Sequence, residues 1–522
     1  MDIRELTKGK TDCACGREHH CPIDIVDISE SVWEALSDYV RPYHRILLVA
    51  DRNTDRVAGS RVREVLGEKV TSYVILDDNG DHVVVPNEEK IAEIESFFSD
   101  NDLIFGVGSG VINDLSKYTS FDKGVPYFIF ATAPSMDGYA SVGAAMILGG
   151  MKVTTNARPP KAILADPRIL KDAPFEMLQA GYGDIVGKFS CLNDWKLSAV
   201  VNGEYLCEYV WQLMYDTAVR VRELAEGIRT RDPEAVGALM EALVVAGIAM
   251  AYVGNSRPAS GSEHHLSHFF EITGILDHAP YFCHGIDVAY AAVVTAAIRE
   301  KILKLDPEFR PFRRERWETE IRRLYKTSAE GVMKLQDKLG WHEKEELQSI
   351  REKWPEIREV LLEAPTEAEM LQMLSDVGLS YPEFEALYGA RKIHDAVWYA
   401  KDLKDRYSVL WLLDQYAAKA GDPDVSKIRV VAMDLDGTLC QHKSPLPEEN
   451  RKALAELSKR YKLLMTGAGM CRRIFSQMEE FPIDILGTYG MQFCTYDPET
   501  KDLKTVRDRV IPCDRESIER RV

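Results

Sequence analysis

Five of the twelve histidines of this 522-residue chain fall between His264 and His284. Imidazole binds metals and moves protons near neutral pH, so the clustering is a chemical signal. His264 and His268 stand four apart in an apolar run with helical spacing, and therefore share one helix face. His284 sits in a turn-like His-Gly pair ahead of another long apolar run. A helix face and a turn can aim two or three imidazoles at one point, and Zn2+, Ni2+ and Fe2+ all accept them. The competing reading, polar residues at helix ends, leaves the clustering unexplained. A second signal is the glycine-rich turn at residues 106–114, GVGSGVIND, which follows an apolar strand and opens a helix. Glycines there let the backbone approach a pyrophosphate, whose charge suits a helix N-terminus. Tight strand-to-helix turns use glycine in any case, so this turn alone is weak evidence of a nucleotide. Thr132, Ala133, Pro134 and Ser135 close the next strand and put hydroxyls on the same edge. Asp51, ending the first strong strand, suits a ribose hydroxyl, whereas Arg52 beside it suits a 2'-phosphate; NAD and NADP both stay open.

These residues need a scaffold. Residues 46–50 are a short, wholly apolar run of the kind found in buried parallel strands. Further strands are expected at 70–76, 103–107, 127–131 and 161–165, with helical segments at 55–66, 88–98 and 110–118 between them. Residues 144–148 and 152–155 flank Gly149-Gly150 and read as a hairpin. Such alternation implies α/β architecture, with a parallel sheet covered by helices on both faces. From Phe175 to about residue 417 the periodicity is helical. A polar linker at 418–424 precedes a return to strand and helix at Arg429. The expected domains are a Rossmann-like domain at 1–170, an all-helical metal- and substrate-binding domain at 171–420, and an α/β module at 421–522.

Net charge is −18. That argues against a nucleic-acid or anionic-membrane partner, while leaving room for a local basic pocket. The ten cysteines are scattered in mostly apolar settings, the pattern of reduced thiols in a cytoplasmic protein. The N-terminus has no apolar core of a secretory signal. The longest apolar runs, such as residues 242–253, read as buried helices too short for a membrane span. Cys13, Cys15, His19, His20 and Cys21 crowd into nine residues. Their spacing is not that of a zinc finger, so an ordered edge segment is favoured over a small metal knuckle.

The ordered motifs GVGSGVIND, TAPSMDGYAS, GYGDIVGK, SGSEHHLSH and HG resemble the sn-glycerol-1-phosphate dehydrogenase family, grouped with glycerol dehydrogenases, iron-type alcohol dehydrogenases and dehydroquinate synthases. The resemblance covers roughly residues 10–420. It implies a cleft between a Rossmann-like domain and a helical domain. It also implies NAD(P)H-dependent reduction of dihydroxyacetone phosphate to sn-glycerol 1-phosphate with one Zn2+ or Ni2+. Carried over, Gly110, Val111, Ile112, Asn113, Asp114, Thr132, Ala133, Pro134, Ser135 and Ser141 would hold the dinucleotide. Asp184, His264 and His284 would be the metal ligands, and Asp137 and His268 would contact substrate. One carboxylate and two imidazoles leave coordination positions open for a substrate oxygen, unlike a closed four-ligand site. His268 is then placed to relay a proton to the developing alkoxide. The glycines at 181, 183 and 187 suggest a close approach to the Asp184 helix. Lys188 and Arg257 are candidates for the substrate phosphate.

The run VVAMDLDGT at residues 430–438 resembles the first motif of the haloacid-dehalogenase (HAD) phosphatases. There Asp434 would be the nucleophile, Asp436 the general acid/base, and the pair would bind Mg2+. Thr466, ending the strand at 462–465, resembles the phosphate-binding hydroxyl of the second motif. The residues around Asp484, Tyr489, Gly490 and Met491 resemble the phosphomannomutase-like branch. The family also needs a Lys and a second acidic pair beyond a cap domain. With three strands expected and the sequence ending at Val522, the expectation is a partial or inactive module of a longer fusion. The alternatives to a glycerol-1-phosphate dehydrogenase are a dehydrogenase of another polyol or polyol phosphate, a dehydroquinate synthase-type lyase, and a phosphatase whose N-terminal part only binds nucleotide. A homodimer is compatible with all of them.

Overall fold

The computed structural model describes residues 2–77, 84–149, 151–416, 429–440 and 444–509. The chain divides into two compact units, Met1–Ala418 and Lys419–Val522. The linker expected at 418–424 lies outside the described residues.

The first unit opens with strands β1 (Ile25–Ile28), β2 (Ile46–Asp51), β3 (Val70–Leu76), β4 (Leu103–Gly108), β5 (Tyr127–Ala131), β6 (Gly143–Leu148), β7 (Met151–Asn156) and β8 (Ala162–Ala165). Six of these form one parallel sheet in the order β1-β8-β5-β4-β2-β3. Every residue of β4, β5 and β8 is buried, as continuous apolar runs require when both faces are covered. β6 and β7 make a separate antiparallel hairpin. The chain runs outward from β2 to β3 and then returns to β4 on the other side of β2. The crevice for a ligand therefore opens at the carboxyl ends of β2 and β4, beside Asp51 and Gly108. β1 was not expected. Its four residues carry an Asp in the middle, too short a signal to read, and only pairing with β8 makes it a strand.

From Phe175 to Tyr416 the described residues are helical apart from connections. The apolar run at 242–253 belongs to a longer helix than expected, Pro233–Val253, whose 21 residues and mean hydropathy of 2.0 meet the length and composition of a membrane span. Of its most apolar window, 83% is buried inside this unit, so the fold itself accounts for its character. Helix Phe175–Val186 is held unusually close to its neighbours. A Cβ on Gly181 would lie 1.9 Å from the Pro134 carbonyl oxygen, and one on Gly285 2.0 Å from that of Ala180. Backbone occupies both places, so larger residues would push the helix away from the 132–137 loop and from helix His284–Ile302. The close approach anticipated from the glycines is thus made by protein.

In the second unit β9 (Val430–Asp434), β10 (Lys462–Thr466) and β11 (Asp484–Gly487) are parallel. β12 (Gln492–Asp497) and β13 (Asp502–Asp508) add antiparallel strands in the order β13-β12-β11-β10-β9. The sheet has five strands where three were expected, because the turn at Thr488–Gly490 sends the chain back alongside β11.

Candidate active site

Three elements of the first unit bring Asp184, His264 and His284 together, with ligand atoms all within 4.8 Å of one another. Asp184 lies near the end of helix Phe175–Val186, His264 in the first turn of helix Ser262–Asp277, and His284 at the first position of helix His284–Ile302. His264 and His284 have ring centroids 5.1 Å apart, and His268 stacks on His284 at 5.5 Å. Each member is oriented through an atom that faces away from the cluster. Glu263 Oε1 is 2.7 Å from His264 Nδ1 and accepts from the Gly261 N–H, leaving His264 Nε2 turned to Asp184 Oδ1 at 3.6 Å. Ser267 Oγ is 3.3 Å from His284 Nδ1. The Asp137 backbone N–H donates to Asp184 Oδ2 at 2.9 Å. Neither Glu263 nor Ser267 was singled out from sequence. An acid next to a histidine in the chain points elsewhere on a helix unless the first turn is tightly held, and only the buried Gly261–Glu263 contact makes the pair.

The electrostatics follow from burial. Burial alone would raise the fully enclosed Asp184 carboxyl, but the Lys188 ammonium overrides it and holds the group at about 2. Burial, and then the Lys188 cation, push His264 well below the usual imidazole range and keep it neutral. Lys188 Nζ donates to Asp184 Oδ1 and to Asp137 Oδ2, both at 2.7 Å, and to the Ala259 carbonyl at 2.9 Å. Burial disfavours its charge, yet Asp137 and Asp184 more than offset this and raise its pKa. Lys188 thus stands at the centre of the site as a clamp on two carboxylates, its three donors engaged. Arg257 has a different place from the one its loop suggested. It is buried, forks onto the Glu204 carboxylate and donates to the Tyr407 carbonyl at 2.8 Å. An arginine buried and committed on both edges to Glu204 and to the Tyr407 carbonyl ties its loop down rather than standing open for a phosphate.

The glycine-rich turn lies where β4 meets helix Gly110–Lys123, and Gly108 pairs with Ala131, so residues 109–111 and 132–135 share one sheet edge. Gly110 and Val111 are half-buried, while Ile112, Asn113 and Asp114 turn their side chains inward. Asn113 Oδ1 accepts from the Tyr127 hydroxyl at 3.3 Å, and Asp114 Oδ2 accepts from the Ala145 N–H at 3.3 Å. What this turn offers a ligand is backbone N–H groups. Thr132, Ala133 and Pro134 are buried, and Ser135 is half-buried. The Ser141 hydroxyl is taken by Lys117 Nζ at 3.1 Å and by the carbonyls of Gly138 and Gly143 at 3.0 Å. Lys117, fully buried and also unforeseen, pins the Gly138 and Gly143 carbonyls at 2.8 and 2.9 Å and so fixes the loop that carries Asp137. Asp51 caps the turn after β2, with Oδ1 accepting from the N–H groups of Asn53 and Thr54 at 2.8 Å.

In the second unit Thr466 is in register with Asp434 across β10 and β9, and its hydroxyl donates to the Met433 carbonyl at 3.2 Å. Asp436 follows in the tight loop closed by Gly437 and Cys440, and its Oδ1 accepts from Gln477 Nε2 at 2.7 Å.

The cluster in the first unit fits a divalent ion on chemical grounds. It offers an ionised carboxylate, two imidazoles whose second nitrogens are engaged, and enclosing walls. A family profile described as iron-containing alcohol dehydrogenase matches residues 27–174. The chain is 34% identical over 307 residues to a protein of Bacillus subtilis (strain 168) named glycerol-1-phosphate dehydrogenase (NAD(P)+), spanning 57% of this chain and 78% of that one. It is 37% identical over 255 residues to a protein of the same name from Pyrococcus furiosus, spanning 46% and 72%. In fold it is similar to maleylacetate reductase from Rhizobium sp. strain MTP-10005, with a TM-score of 0.50 at 11% identity over 76% of this chain and 96% of that one.

Proposed function

The chain belongs to the glycerol-1-phosphate dehydrogenase family and is an NAD(P)-dependent oxidoreductase, and from that premise we propose that it reduces dihydroxyacetone phosphate to sn-glycerol 1-phosphate. The observation that carries the reading is the convergence of Asp184, His264 and His284. These residues would hold a Zn2+ or Ni2+ ion, which supplies a Lewis acid for the negative charge that builds on the carbonyl oxygen. Glu263 and Ser267 orient the two imidazoles. The Lys188 clamp, donating to Asp137 Oδ2 at 2.7 Å, fixes Asp137 for a substrate hydroxyl. The half-buried His268, stacked on His284, hands a proton to the alkoxide. The first-turn N–H groups of Gly110 and Val111 suit the dinucleotide pyrophosphate, and the hydroxyls near Thr132 and Ser135 suit its nicotinamide half. Asp51 keeps one carboxylate oxygen for the adenosine ribose. The test is NAD(P)H oxidation against a panel of phosphorylated and free ketones with Zn2+ or Ni2+ added, followed by assay of the product with a dehydrogenase specific for sn-glycerol 3-phosphate. Turnover with dihydroxyacetone phosphate and a product that this second enzyme rejects is expected. Preference for an unphosphorylated ketone would move the reading to another polyol dehydrogenase.

We propose separately that the second unit is a phosphoryl-binding module of the HAD type, with Asp434 as nucleophile, Asp436 as acid/base and Mg2+ between them. The register of Thr466 with Asp434 supports this, since it sets the two residues side by side at one end of the sheet. Phosphate release from polyol phosphates with Mg2+ tests it, with Asp434→Asn as the blank. Turnover equal in that blank would remove the reading.

A further inference from the structure

The first unit holds a second group of donors. Cys13, Cys15, His19 and Cys207 place their ligand atoms within 4.8 Å of one another. Cys13 Sγ and Cys207 Sγ are 3.7 Å apart, and His19 Nε2 is 3.4 Å from both Cys15 Sγ and Cys207 Sγ. A tetrahedral zinc with Zn–S of about 2.3 Å and Zn–N of about 2.0 Å demands S···S near about 3.8 Å and S···N near about 3.5 Å. The observed separations are those of a tetrahedron's edges, and too long for a disulfide. Cys207 and His19 are fully buried, and Cys13 nearly so.

The surroundings fit a metal centre. His19 Nδ1 lies 2.8 Å from the Tyr252 carbonyl, which can only accept, so Nδ1 carries the proton. Nε2 then presents its lone pair to the sulfurs, the tautomer a metal requires. The Tyr205 hydroxyl donates to Cys15 Sγ at 3.1 Å. Cys207 is the N-cap residue of the 16-residue helix Glu208–Glu223, so that helix fixes where its sulfur lies. The other two members of the N-terminal cluster stand apart: His20 faces Glu18 at 3.4 Å, and Cys21 lies against the Ile23 carbonyl.

We propose that Cys13, Cys15, His19 and Cys207 form a closed structural zinc site of the Cys3His type. Four protein ligands complete the tetrahedron and leave no position for substrate, so its role is to hold structure. It fastens the segment leading into β1 to the start of helix Glu208–Glu223 and, through His19, to the end of helix Pro233–Val253. A cross-link between residues 194 apart in sequence restrains the N-terminal segment that nothing covalent holds.

The test uses the full chain, with zinc counted by plasma mass spectrometry and with zinc exchanged for Co2+. Cobalt in this site gives thiolate-to-metal charge transfer and the intense visible absorption of a tetrahedral ion. The Asp184, His264 and His284 cluster contains no sulfur and cannot give the thiolate charge-transfer band, whatever visible bands its own cobalt shows, so failure here and failure of the proposed reductase are distinguishable. The wild-type protein is expected to show the thiolate bands, and Cys207→Ser and Cys15→Ser are each expected to lose them with about one zinc per chain. Absence of thiolate bands from the cobalt-loaded wild type would overturn the site even if the variants failed to fold. So would an unchanged zinc count in folded variants, or a Cys13–Cys207 disulfide by peptide mass mapping of the protein as purified, before any metal is removed.

Discussion

The two donor clusters of the first unit differ in composition and enclosure. Asp184, His264 and His284 offer three hard or borderline ligands, beside a carboxylate, an ammonium and a half-buried imidazole suited to handling a substrate. Cys13, Cys15, His19 and Cys207 offer four ligands, three of them sulfur, and the Tyr205 hydroxyl beside them is spent on Cys15 Sγ. Three ligands and a polar neighbourhood suit exchange and catalysis; four, mostly thiolate, suit permanence. The lesson is that neighbours as well as ligands separate a working site from a staple.

Mutations can break that contrast. The largest effect belongs to Asp184→Asn or His264→Ala, which should cut kcat/KM for ketone reduction on the order of a thousandfold while leaving the cobalt–thiolate absorption intact. Glu263→Gln should be milder, lowering metal affinity or activity roughly 10–100-fold by loosening His264; titration of the apo-protein with Zn2+ or Ni2+ reads it directly. Cys207→Ser should leave kcat of the folded protein within about twofold but cost about 2–4 kcal/mol, as opening a long covalent loop does, read as a fall in Tm of several degrees. Gly110→Val should raise the KM for NAD(P)H roughly tenfold, about 1.4 kcal/mol. A Cβ there meets only the flexible end of Met136, at 3.0 Å, so folding should survive. Cys21→Ser should change neither metal count nor Tm.

The parallel sheet was legible chiefly because β4, β5 and β8 are apolar runs, and β3 and β5 begin and end at the expected residues. β1 was not, since its pairing partner lies far along the chain at β8. The histidine cluster could be read from spacing, and Asp184 only from motif resemblance, because no local pattern marks a lone helical carboxylate. Lys188 and Arg257 looked alike as spare cations. Their burial and partners set them apart, and partners are a tertiary property. The sulfur cluster was half visible: Cys13, Cys15 and His19 are close in sequence, but the ligand that completes them, Cys207, is not.

The most direct measurement is activity and metal content followed together through dialysis against EDTA, with X-ray absorption at the zinc edge on what remains. The expected result is loss of reductase activity with the ion of the Asp184 site, recovery on adding Zn2+ or Ni2+, and retention of about one zinc per chain with sulfur neighbours at about 2.3 Å. Full activity in protein whose only remaining ion is sulfur-bound, or a last zinc with nitrogen and oxygen neighbours alone, would contradict it.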